Sequence, residues 1–148
     1  MFVPVLLGSE SDKDFAAKIT KHFDEFGIDY KVIVCSAHKV PEKLFALIQE
    51  YNKQEDIVYV TLAGRSNGLS GVTAGSSFHP VIACPPHSDK MDFMVNINST
   101  LQMPSDTPVL TVLDPQNCAL AVARIFALKD AALKIKIEER IKAVKAGF

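Results

Sequence analysis

Small polar and ionisable residues are grouped in three segments that each follow a short apolar run. Residues 8–12 are Gly-Ser-Glu-Ser-Asp, residues 36–39 are Ser-Ala-His-Lys, and residues 64–68 are Gly-Arg-Ser-Asn-Gly. Hydroxyl groups, backbone N–H groups and basic side chains are the groups that hold small anions such as phosphate. A histidine can donate or accept a proton at neutral pH. The three segments therefore predict a site that binds a small anion and transfers a proton.

The first segment also has a purely structural interpretation. A serine at a helix start and an acidic residue three positions later form a capping box, which here would be Ser11 and Asp14. Considered alone, the segment favours this cap, because serine and aspartate are common at helix starts. Ser9, Ser11 and Asp12 become candidates for anion binding only together with the other two segments.

His38 is the strongest candidate for proton transfer among the four histidines. Lys39 beside it and Arg65 in the third segment would supply cations for a phosphate. The structural alternative is a loop histidine that bonds only to backbone. Residues 64–68 allow close backbone approach to a planar or carboxylate ligand, although they could also be a flexible connection. The weaker candidates lie on a predicted helix, before a strand-opening proline and in an unassigned loop: His22, His79 and His87.

Strands and helices alternate along the chain that must position these segments. Continuous apolar runs predict strands at residues 2–7, 30–35, 57–63, 79–84 and 107–113. A stripe of Phe15, Ile19, Phe23 and Phe26 predicts the first helix, and Gly27 its left-handed C-terminal cap. Further helices are predicted from Pro41, around residues 69–74, and from Pro115 after an Asp114 cap. This order predicts a three-layer α/β/α sandwich with a doubly wound parallel sheet of the flavodoxin-like type.

Bulk properties restrict the classes of function. The 148 residues suit one domain, and a net charge of −1 without a basic stripe argues against nucleic acid as a partner. The first apolar run ends after Leu7, so we expect neither a signal peptide nor a membrane span. Three cysteines without CxxC spacing predict reduced thiols in a cytoplasmic protein. The histidines and cysteines lack metal-ligand spacing, so we expect no metal.

Four motifs carry a more specific resemblance. GSESD, SAHKVPE, AGRSNGLSG and LQMPSDTPV, in this order, resemble the carboxyaminoimidazole ribonucleotide-forming enzymes of purine biosynthesis, from about residue 3 to residue 128. One branch is a mutase that moves a carboxyl group from N5-carboxyaminoimidazole ribonucleotide to the ring carbon. The other is a carboxylase that adds CO2 directly to aminoimidazole ribonucleotide. Lys39, AGRSNGL and the Cys84-Pro85-Pro86 run resemble the carboxylase, whereas QMPSDTPV is closer to the mutase.

The resemblance implies a role for each matching residue. Asp12 would bind the ribose hydroxyls beside Ser9 and Ser11, Ser36 and Lys39 would bind the phosphate, and His38 would shuttle the proton. Met103, with the proline after it, would belong to a loop that closes over the site. The substrates would be aminoimidazole ribonucleotide and CO2, without a cofactor. The imidazole and the CO2 or carboxylate would be held by Gly64, Arg65, Ser66, Asn67 and Gly68.

The end of the chain is predicted to form a separate helical tail. Residues 1–128 would be the catalytic domain, and residues 129–148 an amphipathic helix with an apolar stripe at Ile137, Ile141 and Val144. That stripe packs either on its own domain or on a neighbouring subunit. The resemblance implies the second, in a homo-oligomer that is commonly an octamer. A non-enzymatic phosphate-binding module of the same fold remains the alternative from a different functional class.

Overall fold

Five parallel strands form one sheet in the order β2-β1-β3-β4-β5, in a computed structural model that describes residues 1–87 and 92–148. The central strand β1 pairs with β2 on one side, from Phe2 opposite Asp29 to Leu7 opposite Val34, and with β3 on the other. The predicted doubly wound sheet is confirmed. The strands are β1 Phe2–Leu7, β2 Asp29–Val34, β3 Tyr59–Leu62, β4 Val81–Ala83 and β5 Leu110–Thr111.

Helices cover both faces of this sheet. On one face α1 packs on α6, and on the other α2 packs on α3, so the three-layer arrangement is confirmed. No helix in the described part of the chain is long and apolar enough to cross a membrane. The helices are α1 Lys13–Phe26, α2 Pro41–Tyr51, α3 Gly68–Ser76, α4 Asp92–Asn96, α5 Asn98–Leu101, α6 Pro115–Phe126 and α7 Ala131–Lys145.

The continuous apolar strands are explained by two cores, one on each face. In β1, Val3, Val5 and Leu7 enter the core beneath α1 and α6, whereas Leu6 enters the core beneath α2 and α3. Successive side chains of a strand point to opposite faces, so a strand buried on both faces needs apolar residues at every position. In the central strand β1, the polar residues therefore come only after its carboxyl end.

The turn chemistry of the sequence is largely confirmed. Gly27 has a left-handed φ of 71°, and the Asp114 carboxylate accepts a hydrogen bond from the Asn117 N–H at 2.8 Å at the start of α6. The predicted capping box of Ser11 and Asp14 is wrong by two residues. Ser9 and Asp12 form the box instead, at a 3-10 turn over Glu10–Asp12 that precedes α1.

The fifth strand is shorter than the predicted run at residues 107–113. It covers Leu110–Thr111, and the Val112 N–H extends the pairing by one bond, to the Ala83 carbonyl at 3.0 Å. β5 is at the edge of the sheet, and Pro108 has no N–H to donate to a ladder. The two short helices α4 and α5 were not predicted, because four to five residues give no readable periodicity.

The tail helix α7 packs on its own domain through its first half. Leu133 and Ile137 are buried in the core with α1 and α6, and the Lys136 ammonium donates to the Phe26 carbonyl at 3.0 Å. Farther along, Ile141 is 36% exposed and Val144 is 57% exposed. Contact of this second half with another subunit stays a prediction.

The exposure of apolar side chains differs along α7, so we expect shortening these side chains to lower the free energy of unfolding by different amounts. Ile137→Ala should lower the free energy of unfolding by about 2–4 kcal/mol, because it opens a cavity in the core. Ile135→Ala is the matched control, because Ile135 lies in the first half of α7 but is 55% exposed, and it should change the free energy of unfolding by less than about 0.5 kcal/mol. Urea unfolding at one fixed protein concentration measures both. Equal costs would contradict the account and mean that Ile135 is covered in solution.

Candidate active site

A single cavity lies at the carboxyl ends of β1, β2 and β3. Its volume is about 590 Å³, within the range of about 300–1,000 Å³ that is usual for small-molecule sites. In doubly wound sheets such crevices form where the strand order reverses, here between β1 and β3. Residues from all three predicted segments line it: Ser9, Ser11, Asp12, Ser36, His38, Lys39, Gly64, Arg65 and Ser66.

The first segment presents a compact set of hydroxyl groups and a carboxylate. The Ser9 N–H donates to the Asp12 carboxylate at 3.1 Å, and the Ser11 hydroxyl donates to the Ser9 Oγ at 2.8 Å. Burial raises the pKa of the Asp12 carboxyl above its usual range, and the hydrogen bond from the Ser9 backbone opposes that rise. The same residues therefore cap a turn and line the cavity, so the two interpretations of this segment are compatible.

The second segment is a turn that leads from β2 into α2. The Cys35 N–H still pairs with the Leu7 carbonyl at 2.9 Å, so the polar residues begin directly where the ladder ends. The Val40 N–H donates to the Ser36 carbonyl at 3.0 Å and closes the turn before Pro41 starts α2. This short turn brings Ser36, His38 and Lys39 to the cavity wall.

The third segment divides into exposed and buried parts. Arg65 and Ser66 line the cavity, and Ser66 has a left-handed φ of 46°. Asn67 is buried and bonded within the fold, since its amide nitrogen donates to the Thr100 hydroxyl at 3.0 Å and its oxygen accepts from the Ser70 N–H at 3.1 Å. Gly68 lies behind His38 rather than in the cavity lining. Direct contact of Asn67 and Gly68 with a substrate stays a prediction.

Met103 lies against α3 and not in the cavity lining. Its sulfur is 3.3 Å from the point where a Cβ on Gly71 would stand. Its role in a closing loop stays a prediction.

The cavity also contains residues that the sequence analysis does not assign to the site. Pro86, His87 and Asn96 line its wall, and the His87 ring packs edge-on against Phe15 with centroids 5.4 Å apart. The signal was available: the chain that follows β4 leaves the same edge of the sheet as the three segments. In the sequence, His87 is a weak candidate because its loop carries no predicted element.

The three cysteines are free and buried, which matches a structural role. Burial raises the pKa of the Cys35 thiol. A hydrogen bond with the Cys84 thiol, together with burial, raises the pKa of Cys118 well above its usual value. A protonated thiol is a poor nucleophile, so Cys35 and Cys118 are weak candidates for a reactive group. In the described ranges, no group of three or more His, Cys, Asp or Glu residues is arranged to hold a metal ion.

The fold and the cavity define a class: a flavodoxin-like α/β domain with a polar, nucleotide-sized site at the switch point of its sheet. The family model described as AIR carboxylase matches residues 2–146. The chain therefore belongs to the AIR carboxylase family.

Individual relatives agree with this family. The chain is 48% identical to a phosphoribosylaminoimidazole carboxylase of Archaeoglobus fulgidus, over 90% of this chain and 73% of that protein. It is 39% identical to the phosphoribosylaminoimidazole carboxylase of Treponema denticola, over 95% of this chain and 89% of that protein. The crystal structure of Treponema denticola PurE superposes with a TM-score of 0.94 at 38% identity, covering 99% of this chain and 92% of that one.

Because the pKa of Asp12 is raised, we expect Asp12→Asn to stabilise the folded protein by an amount that depends on pH. Because the folded pKa is above the unfolded value of about 3.9, wild-type stability is complete below that value and falls as pH rises through the folded pKa. The asparagine keeps an acceptor for the Ser9 N–H but carries no desolvated charge. The variant should be more stable than the wild type at pH 7 by less than about 1 kcal/mol, since the side chain is only partly buried. Below about pH 4 the two proteins should be equally stable.

Thermal unfolding of the wild type and of Asp12→Asn across this pH range measures the difference. A gain of the same size at every pH would mean that the ionised carboxylate is not the destabilising group.

Proposed function

We propose that this chain adds CO2 directly to the ring carbon of 5-aminoimidazole ribonucleotide, which gives 4-carboxy-5-aminoimidazole ribonucleotide in purine biosynthesis. The observation that carries the proposal is one cavity in which a histidine meets hydroxyls, a carboxylate and two basic side chains. A ribonucleotide monophosphate needs all of these groups, because it presents a phosphate, a ribose diol and a planar ring.

Each of the three segments would hold a different part of the substrate. Ser36 and Lys39 supply a hydroxyl and a cation for the phosphate, and a compact ammonium suits a phosphate dianion. Asp12 offers carboxylate oxygens to the ribose hydroxyls, and its partial burial would strengthen those bonds. His38 would then face the imidazole ring. Backbone N–H groups at residues 64–68 would hold the carboxylate that forms.

The chemistry requires one C–C bond to form and one C–H bond to break. The aminoimidazole ring is electron-rich, so its carbon can attack CO2 without a metal or biotin. The resulting carbon carries both a hydrogen and a carboxylate. Transfer of that proton to the His38 imidazole returns the electron pair to the ring and restores aromaticity. A positioned base of this kind typically contributes about 10²–10⁴-fold to the rate.

The oligomeric state and location follow as further parts of the proposal. We infer a homo-oligomer, with an octamer favoured, in which the second half of α7 contacts a neighbouring subunit. Apolar side chains that are exposed in the single chain, among them Val144 and Leu128, support such an interface. Light scattering would measure the size of the assembly, and a monomer would contradict it. A cytoplasmic location fits the three free cysteines.

The carboxyl donor is the most direct test of the reaction. We expect purified protein to convert aminoimidazole ribonucleotide to the carboxylated product with labelled bicarbonate and CO2, with label in the product. A parallel reaction starts from N5-carboxyaminoimidazole ribonucleotide with the same label. Product formed only in the second reaction, without label, would identify a mutase. Activity in neither would favour a non-enzymatic module.

A second prediction concerns His38. His38→Asn should lower kcat by about 10²–10⁴-fold, because it removes the base but not the groups proposed to bind the nucleotide. Nucleotide affinity, measured by calorimetry, should stay within about threefold of the wild type. His22→Asn is the matched control, since His22 is buried on α1 and bonds to Glu25 at 3.0 Å, away from the cavity. Retained turnover in His38→Asn would remove His38 from the mechanism.

A further inference from the structure

We propose that Gly68 is a positioning residue for His38, and that its missing side chain determines where the imidazole lies in the cavity. The inference rests on the proposed role of His38 as the base. A Cβ built on Gly68 would stand 2.7 Å from the His38 Nε2, 3.1 Å from Cε1 and 3.5 Å from Cδ2. One edge of the imidazole ring therefore lies directly against the backbone at the start of α3.

The requirement for glycine at this position is one of space. Among the described residues, Gly27 is the one glycine with a left-handed φ, so Gly68 has a backbone that other residues adopt easily. A Cβ contact of 2.7 Å is shorter than side chains tolerate, so either the loop or the ring must move.

The loop is held in place by several hydrogen bonds. Asn67, directly before Gly68, has its backbone N–H bonded to the Ser99 hydroxyl at 2.9 Å and its side-chain oxygen bonded to the Ser70 hydroxyl at 2.9 Å. Its amide nitrogen is bonded to Thr100, and the Gly68 N–H donates to the Ser66 carbonyl at 2.7 Å. These bonds join the start of α3 to α5, so a side chain at position 68 would displace the ring of His38.

A displaced ring should affect chemistry more than binding. The groups proposed to hold the phosphate and ribose, Ser36, Lys39 and Asp12, also line the cavity, but the three atoms nearest to a Cβ on Gly68 all belong to His38. A misplacement of about 1 Å in a reacting group can cost about 10²-fold in rate. The bonds from Asn67 to α5 therefore hold Gly68 in place, and Gly68 in turn limits where the His38 ring can lie.

The test compares Gly68→Ala with Gly75→Ala. Both replace a glycine of α3 by alanine, but a Cβ at Gly75 meets only the Thr107 methyl group, at 3.2 Å. We expect Gly68→Ala to lower kcat by about 10–10²-fold and to leave the KM for the nucleotide within about twofold. Gly75→Ala should behave as the wild type. The NMR signals of the His38 ring should shift in Gly68→Ala and not in Gly75→Ala.

The outcomes separate this inference from the proposed function. Wild-type kcat and unmoved His38 signals in Gly68→Ala would overturn the inference, as would a raised KM with kcat retained. An inactive wild-type protein would instead contradict the proposed function, and the His38 signals would still decide the position of the ring. If Gly68→Ala does not fold, Thr100→Val is the second variant, because it removes the acceptor of the Asn67 amide and so loosens the backbone beside Gly68. Thr100→Val should lower kcat without raising KM, and an unchanged kcat would overturn the inference.

Discussion

The pairing of β1 with both β2 and β3 in parallel is the constraint on which the rest of the structure depends. Parallel neighbours require crossover helices, and the crossovers leave β1 in opposite directions, so helices cover both faces. The central strand β1 must then be apolar throughout, and the polar residues of this region follow its carboxyl end. Because the strands are parallel, their carboxyl ends meet at one edge and form the cavity.

The same pairing determines how close the loops at this edge come to each other. The Gly8 N–H donates to the Leu62 carbonyl at 2.8 Å, and a Cβ on Gly8 would stand 3.3 Å from the Ala63 Cβ. The loops after β1 and β3 therefore approach at backbone distance. The second and third segments meet at His38 and Gly68. The groups proposed to react with and bind the substrate are thus held by hydrogen-bonded backbone, which positions them before a ligand arrives.

Most of the fold could be predicted from the sequence because its signals are local. Apolar runs, Gly27 at a left-handed cap and Pro115 after Asp114 each act within a few residues. The site segments were predicted because parallel strands bring their ends together. Other features depend on distant contacts: Asn67 was expected to bind a ligand, but its side chain is directed into bonds with α5. The position of His87 in the cavity depends on β4 lying beside β3 and not on its neighbours in sequence.

The central claim is that three strand ends form one nucleotide site in which the ring carbon faces His38. A crystal structure of the protein with aminoimidazole ribonucleotide tests it most directly. The account predicts the phosphate at Ser36 and Lys39, the ribose hydroxyls at Asp12, and the reactive ring carbon within about 4 Å of the His38 imidazole. A nucleotide bound in the opposite orientation, or outside this cavity, would contradict it.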